Sequence, residues 1–146
     1  MLDPSKDFVI CLNMLASPYG TASPLSTNPA TGQPYGPDFP IVTVRDSVRL
    51  HKLVLDALGV ASIRAAIGGS LGGMLVLEWA FYGPAYVRSI LPVATTGKHA
   101  AWAISMGETQ RLTIFNDPHW HGGRYYARQE LPIKGLANAR MQVMEH

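Results

Sequence analysis

The stretch Gly68-Gly69-Ser70-Leu71-Gly72-Gly73 decides the fold, because it matches the G-x-S-x-G pattern of a nucleophile elbow. In that motif a serine occupies a sharp turn between a strand and a helix, and flanking glycines avoid collisions with both elements. The surrounding sequence fits: residues 63–67 predict a short strand, and residues 74–82 predict a helix that is apolar nearly all round. The stretch therefore predicts a Ser70 hydroxyl presented at the carboxyl edge of a sheet.

The helix that begins near Leu71 directs its free N–H groups and the positive end of its dipole toward Ser70. We therefore expect the backbone N–H of Leu71 to hold a developing oxyanion. A glycine-rich turn of this kind can also bind a phosphate, or no ligand at all. The stretch lacks both the G-K-[ST] ending of a P-loop and the G-x-G-x-x-G spacing of a dinucleotide site, so the nucleophile interpretation is preferred.

The segments on either side of the elbow continue the alternation of strands and helices. Residues 8–14 form a short apolar run typical of a strand buried on both faces, residues 44–58 predict a helix, and residues 87–94 predict a further strand. The order strand, helix, strand, helix, strand implies a parallel sheet with right-handed crossovers. The sequence thus predicts an α/β fold with parallel strands.

The first predicted helix has clear start and stop signals. Thr43 and Asp46 fit a capping box, and Gly59 is a natural stop after the last turn. Between these signals, residues four or three positions apart define one face, namely Val44, Val48, His51, Leu55 and Leu58. We therefore expect His51 to pack against the core rather than to act in catalysis.

Two further regions lie outside this alternation. Residues 17–40 are so rich in proline and glycine that neither a helix nor a strand is expected there. The aromatic residues of this region favour an ordered loop packed on the body of the protein; they are Tyr19, Tyr35 and Phe39. Beyond residue 96 the strands stop, and helices are predicted at residues 100–115 and from Leu136 onward.

Composition excludes several classes of protein. The chain has 146 residues, of which 47% are hydrophobic and 15% charged, and its net charge of +2 includes no basic block. This pattern argues against a nucleic-acid arm or a membrane-binding patch. A single cysteine, Cys11, excludes an internal disulfide and a cysteine-rich zinc site, and its place in a predicted strand indicates burial. No apolar run is long enough to span a membrane, and residues 1–7 do not resemble a secretory signal, so we expect a cytoplasmic protein.

A nucleophilic serine needs a base and an acid that orients the base. Four histidines follow Ser70 in the chain, namely His99, His119, His121 and His146. Asp117 with His119 or His121 has the usual chain order, but these residues follow a helix directly, where loop residues are expected. The pair His119-x-His121 lacks a third ligand at a sensible spacing, so no metal is expected. Glu78 lies inside an apolar helix, where it either pairs with a neighbour or points to solvent.

Many segments resemble one family, the homoserine O-acetyltransferases, in the same order along the chain. The segments are Phe8-Val9-Ile10-Cys11-Leu12-Asn13, Ser17-Pro18-Tyr19-Gly20, Asn28-Pro29-Ala30-Thr31-Gly32, Pro34-Tyr35-Gly36-Pro37-Asp38-Phe39-Pro40, Arg45-Asp46, Leu55-Asp56-Ala57-Leu58-Gly59-Val60, Gly68-Gly69-Ser70-Leu71-Gly72-Gly73-Met74, Leu77-Glu78-Trp79-Ala80, Ala101-Trp102, Gln110-Arg111, Gly135-Leu136 and Ala139-Arg140-Met141. The style of the chain is similar to the fungal branch, which also includes serine acyltransferases and an acetyltransferase of cephalosporin biosynthesis. The family elbow carries methionine where Leu71 stands.

The resemblance implies an α/β-hydrolase core over residues 1–96 and the start of a helical lid over residues 97–146. It implies a ping-pong acyltransferase of methionine biosynthesis that uses acetyl-CoA as a substrate, with no bound cofactor and a hydroxy amino acid such as homoserine as the acceptor. Ser70 matches the acylated nucleophile, and Leu71 matches the oxyanion residue. Arg140 matches the arginine that grips the amino-acid carboxylate; without the resemblance, a solvated helix residue is the preferred interpretation of Arg140.

The family begins earlier than this chain and continues well past Met141, through the strands that carry the acid and the histidine. The resemblance therefore implies a fragment that has a nucleophile without the rest of its triad, that exposes sheet edges, and that pairs as a homodimer or aggregates. Two alternatives stay open. One is a serine esterase or other hydrolase on the same fold, and the other is a non-catalytic, truncated remnant.

Overall fold

A computed structural model describes residues 3–144 of the chain, except for the side chain of residue 127. His146 lies outside the described residues. The helices and strands in the described range are α1 (Val44–Ala57), β1 (Ala66–Gly69), α2 (Leu71–Trp79), β2 (Ile90–Val93), α3 (Ala101–Phe115) and α4 (Ile133–Met144). Short 3-10 turns occupy Gly36–Asp38, Ala80–Tyr82, His121–Gly123 and Tyr125–Arg128. Within the described residues, no helix combines the length and the apolar composition that a membrane span requires.

Strands β1 and β2 form a parallel pair, with α2 as the connection between them. The register runs from Ala66 opposite Ile90 to Gly69 opposite Val93. Because alternate residues of a strand face opposite sides, one face of the pair packs on α2 and the other presents Ile67, Leu91 and Val93 to solvent. The predicted parallel strand–helix–strand order is confirmed.

The core lies between α1, α2 and the sheet. Its buried side chains are Val48, Leu55, Leu75, Trp79 and Val87. Each such side chain contributes about 1.5–3 kcal/mol by leaving water. The rings of Tyr82 and Tyr86 extend this cluster, with centroids 5.1 and 6.2 Å from that of Trp79. The core therefore fixes α1 and α2 against the strands that flank the elbow.

Helix α1 begins and ends as the sequence predicts. The Thr43 hydroxyl accepts from the Asp46 amide at 3.2 Å, and the Asp46 carboxylate accepts from the Thr43 amide at 2.9 Å, which completes the capping box. At the other end Gly59 has φ +72°, and the Val60 amide donates to the Leu55 carbonyl at 2.9 Å, as in a Schellman motif. The predicted buried face is found, except at its last position, because Leu58 lies beyond the helix and is exposed.

The prediction of a doubly buried strand at residues 8–14 is wrong. This segment has no strand partner among the described residues, and only every second side chain packs against the core, namely Ile10, Leu12 and Met14. Phe8 and Val9 are exposed, as is Cys11, for which burial was predicted. The segment is held to α1 instead by the buried ring of His51, whose Nε2 lies 2.8 Å from the Asn13 carbonyl oxygen.

Other boundaries shift by a few residues. Strand β1 starts at Ala66 rather than at residue 63, and β2 starts at Ile90 rather than at residue 87. The earlier residues form only an isolated bridge, between Ile63 and Val87, and a bond of 2.7 Å from Ser89 Oγ to the Arg64 carbonyl. Ladder hydrogen bonding becomes continuous only nearer the elbow. Helix α4 begins at Ile133, three residues before the predicted start.

The proline- and glycine-rich region is a series of turns, as predicted. A bridge joins Thr27 to Pro34 within it. The rings of Tyr35 and Phe39 meet edge to face at 5.5 Å and are half-buried, whereas Tyr19 is exposed, so the expected packing of the aromatic residues holds for two of the three. Its last turn is joined to a distant part of the chain by an ion pair of 2.9 Å between Asp38 and Arg124.

Candidate active site

Ser70 stands on the turn between the end of β1 and the first residue of α2. Its backbone has φ +54° and ψ −122°, a conformation that costs a non-glycine residue on the order of 1–3 kcal/mol. Its amide donates to the Val93 carbonyl at 2.9 Å, so the neighbouring strand holds the turn in place. Within residues 3–144 the exposed Ser70 Oγ has no hydrogen-bond partner, and the hydroxyl is free to meet a ligand.

Two of the four glycines around Ser70 are required by close packing. A Cβ at Gly68 would overlap the Gly72 carbonyl, lying 2.6 Å from its carbon and 3.0 Å from Val76 Cγ2. A Cβ at Gly73 would lie 2.6 Å from Thr95 Cβ. By contrast, a Cβ at Gly72 would meet nothing within 4 Å. Gly68 therefore lets the strand and helix cross closely, which gives the turn its sharpness.

Leu71 is the first residue of α2, so its N–H lies at the amino end of the helix. The first backbone bond that closes this helix runs from the Met74 amide to the Ser70 carbonyl at 3.2 Å. The Leu71 N–H precedes that bond and belongs to the orphan donors of a helix N-terminus. This placement is suited to an oxyanion at Ser70, and the role of Leu71 stays a prediction.

Two features at the same edge of the sheet are not predictable from the sequence. Ala94, the residue after β2, has φ +47°, so both neighbouring strands end in a strained residue. Thr95 follows, and its Oγ1 is buried without a hydrogen-bond partner among the described residues. An apolar run ending in Ala and Thr carries no signal for either property, because both depend on how β2 meets α2.

Arg140 lies on α4, with an exposed side chain that forms no hydrogen bond or ion pair within residues 3–144. Within that range no hydrogen bond or ion pair joins Arg140 to Ser70. The structure therefore places Ser70 and Arg140 on separate elements, and the substrate-binding role of Arg140 stays a prediction.

The alternative acid and histidines serve local structure. The Asp117 carboxylate accepts from the amides of Gly135 at 2.7 Å and His119 at 2.9 Å, and these two bonds, in that order, lower the pKa of Asp117. His121 pairs with Glu130 instead. Within the described residues neither histidine contacts Ser70, and no three potential ligands gather at a metal site.

Glu78 finds a partner that the sequence does not reveal. It pairs with Arg45 across α1 and α2, and the Arg45 guanidinium also lies 5.6 Å from the centre of the Phe81 ring. These side chains line an open groove of about 420 Å³ together with Val48, Arg49 and Tyr82. The lining of this groove does not include the elbow residues.

A sharp strand–turn–helix with a strained serine, set at the carboxyl edge of parallel strands, defines the α/β-hydrolase class. A family model described as alpha/beta hydrolase fold matches residues 2–142. The chain belongs to the α/β-hydrolase fold family.

Relatives within that family are more specific. Homoserine O-acetyltransferase of Saccharomyces cerevisiae is 54% identical over 143 residues, which are 97% of this chain and 29% of the relative. The crystal structure of homoserine O-acetyltransferase from Bacillus anthracis is similar with a TM-score of 0.79 and 32% identity, over 86% of this chain and 33% of that one. The structure of esterase E22 gives a TM-score of 0.79 and 36% identity, over 91% and 38%. The predicted resemblance is thus confirmed, and the chain spans about a third of each relative's length.

Proposed function

We propose that this chain carries the nucleophile of an O-acyltransferase of the homoserine O-acetyltransferase type. The observation that carries the proposal is Ser70 itself, a strained serine with a free hydroxyl at the amino end of α2. The 54% identity to the yeast homoserine O-acetyltransferase points to the same chemistry.

The reaction has two acyl transfers. In the first, Ser70 Oγ attacks the thioester carbonyl of acetyl-CoA and loses its proton to a base. The Leu71 N–H donates to the tetrahedral oxyanion, and the carbon–sulfur bond then breaks as coenzyme A leaves with a proton. In the second, the hydroxyl of homoserine attacks the acetyl-serine ester, and Ser70 is released as acetylhomoserine forms. Both substrates are small molecules, and the reaction needs no bound cofactor.

Arg140 has the role of the acceptor's anchor in this proposal. Its guanidinium binds the carboxylate of the amino acid through two parallel hydrogen bonds, which a lysine cannot reproduce. The side chain is exposed on α4 and has no partner within residues 3–144, so it is free to take one. Replacing Arg140 therefore affects the second transfer and leaves the first intact.

No base contacts Ser70 Oγ within residues 3–144. We therefore expect the 146-residue chain alone to show little acyl transfer, because the serine loses most of the rate that a triad supplies, a loss of several orders of magnitude. We also propose a cytoplasmic site of action, where the exposed thiol of Cys11 stays reduced. Exposed apolar side chains on the last two helices fit a homodimer; among them are Ile104, Leu136 and Met141.

The test places the chain in a complete enzyme. The matched 143-residue segment of the yeast relative is exchanged for this chain, and acetylation of homoserine by acetyl-CoA is followed by coenzyme A release and by mass spectrometry of the product. We expect the chimera to be active, Ser70→Ala to be inactive, and Arg140→Lys to raise the KM for homoserine. Coenzyme A release that is unaffected by Ser70→Ala would contradict the role of Ser70 as nucleophile, and a folded chimera that releases no coenzyme A would favour a non-catalytic remnant.

A serine esterase is the second candidate, because esterase E22 matches this chain with a TM-score of 0.79. The two functions differ in what attacks the acyl-serine. Water in place of an alcohol gives acetate and free coenzyme A without acetylhomoserine. The same chimera distinguishes them, because an esterase releases coenzyme A at a rate that homoserine does not change.

A further inference from the structure

Helix α4 starts without a capping side chain of its own. The residue before it is Pro132, whose side chain cannot accept the hydrogen bonds that the first turn of a helix requires. The Ile133 amide turns back to the Leu131 carbonyl at 2.8 Å, and the Gly135 amide donates to Asp117 at 2.7 Å. The cap of α4 is therefore supplied by a carboxylate 18 residues earlier, beyond the end of α3.

The Asp117 side chain is only 2% exposed, and both of its oxygens are used. One accepts from Gly135, and the other accepts from the His119 amide at 2.9 Å, with His119 Nδ1 at 3.3 Å. A negative charge at the amino end of a helix also interacts favourably with the helix dipole. Asp117 thus ties the end of α3 to the start of α4 in one buried joint.

Close packing makes this joint specific. A Cβ on Gly135 would lie 2.8 Å from the Thr113 carbonyl oxygen and 2.9 Å from Asp117 Cβ, so only glycine lets α4 approach α3 this far. Ala139, four residues on, is buried on the same face of the helix. Gln142 continues the contact by donating to the Thr113 hydroxyl at 3.3 Å. The face of α4 that meets α3 is therefore fixed along three turns.

We propose that Asp117 is a positioning residue that acts through Arg140. Arg140 directly follows Ala139, so its direction is set by how α4 lies on α3, and the Asp117–Gly135 bond sets that position at the first turn. The inference rests on the proposed function, in which Arg140 holds the carboxylate of the acceptor. In this proposal Asp117, a buried residue distant in sequence, determines the position of Arg140, which binds the acceptor.

The first experiment measures hydrogen exchange of the 146-residue chain. Asp117→Asn leaves one of the two amides facing an N–H₂ group, so exchange at residues 135–144 rises by about tenfold or more, whereas α1 and α2 keep their protection. Asp56→Asn, at an exposed position of α1, makes the same charge change and leaves α4 unaffected. Unchanged exchange at residues 135–144 in Asp117→Asn overturns the proposal whether or not the protein is an acyltransferase.

A second pair of variants tests the joint from its other side. Gly135→Ala pushes α4 away from α3 and raises the same exchange rates without altering any charge. Gly107→Ala on α3 is its control, because the nearest atom to the added Cβ is the flexible end of Arg111 at 3.6 Å. Equal exchange in Gly135→Ala and Gly107→Ala contradicts the packing argument.

The third measurement separates positioning from stability, using the chimera described above. Asp117→Asn raises the KM for homoserine by about tenfold while the KM for acetyl-CoA and the Ser70-dependent first transfer stay near wild type. Raised exchange in α4 with an unchanged KM for homoserine overturns the link to Arg140 and leaves the proposed function standing. A chimera without Ser70-dependent acyl transfer overturns the proposed function, and with it this link.

Discussion

Gly68 is the glycine at which an added methyl group would approach its neighbours most closely. A methyl group there would lie 2.6 Å from the Gly72 carbonyl carbon and 3.0 Å from Val76 Cγ2. The first obstacle is backbone at the start of α2, so no rotamer change relieves it, and β1 and α2 must move apart. Overpacking of this kind costs about 1–3 kcal/mol where side chains can adjust. We therefore expect Gly68→Ala to lower the free energy of unfolding by about 3 kcal/mol or more.

The assay is urea unfolding of the 146-residue chain, followed by far-ultraviolet circular dichroism. Two matched controls place the same methyl group where there is room. At Gly69 the nearest atom is the Val93 carbonyl oxygen at 3.8 Å, and at Gly72 there is nothing within 4 Å. Removing a glycine from a strand or helix then stabilises the protein by about 0.5–1 kcal/mol.

The comparison between these variants is decisive because all three have the same composition. The reasoning is refuted if Gly68→Ala unfolds within about 0.5 kcal/mol of Gly69→Ala or Gly72→Ala, since surface substitutions without a steric cause fall within that range. Such a result would mean that the β1–α2 crossing is loose, and the strain at Ser70 would then lack its structural support.

Two further predictions concern strain and charge. Ser70→Gly should be more stable to urea than Ser70→Ala by about 1 kcal/mol or more, because only glycine adopts φ +54° and ψ −122° without cost, although neither variant retains a nucleophile; equal midpoints would show that the turn is unstrained. Hydrogen bonds from Gly135 and then His119 lower the pKa of folded Asp117. This carboxylate therefore stabilises the fold at pH values above its ordinary pKa of about 3.9. The stabilisation is lost as the pH falls from that value through the lowered pKa of the folded state. The Gly135 amide resonance should shift with pH as Asp117 titrates; His119 is the other ionisable group at this carboxylate. The control is Asp117→Asn, in which that shift should be absent.

Local signals in the sequence predicted local structure well. The capping box of Thr43 and Asp46, the stop at Gly59 and the turn at Ser70 each depend on a few neighbouring residues, and each is found where the pattern predicts it. The parallel order of β1 and β2 also follows from chain order, because a helix between two adjacent strands leaves little choice of direction.

Features that depend on distant contacts were not predictable in this way. An apolar run at residues 8–14 has the composition of a strand, but a strand also needs a hydrogen-bonded neighbour, which sequence alone does not supply. Asp117 caps α4 only because α3 and α4 pack together, which brings its carboxylate to an amide 18 residues later in the chain. The role predicted for Arg140 comes only from the family resemblance, because an arginine near the end of a helix is ordinary in any sequence.

The ion pair between Asp38 and Arg124 joins residues 86 positions apart in the chain. Helices α1, α2 and α3 and strands β1 and β2 all lie within the loop that this contact closes. Closing so long a loop costs entropy that grows with the logarithm of its length, and a contact of this range forms after the local ones. The pair is therefore expected to have formed little in the folding transition state, so that breaking it speeds unfolding and leaves the folding rate nearly unchanged. Because both side chains are exposed, the ion pair contributes little to the free energy of unfolding. Its main effect is to slow the unfolding of the folded chain.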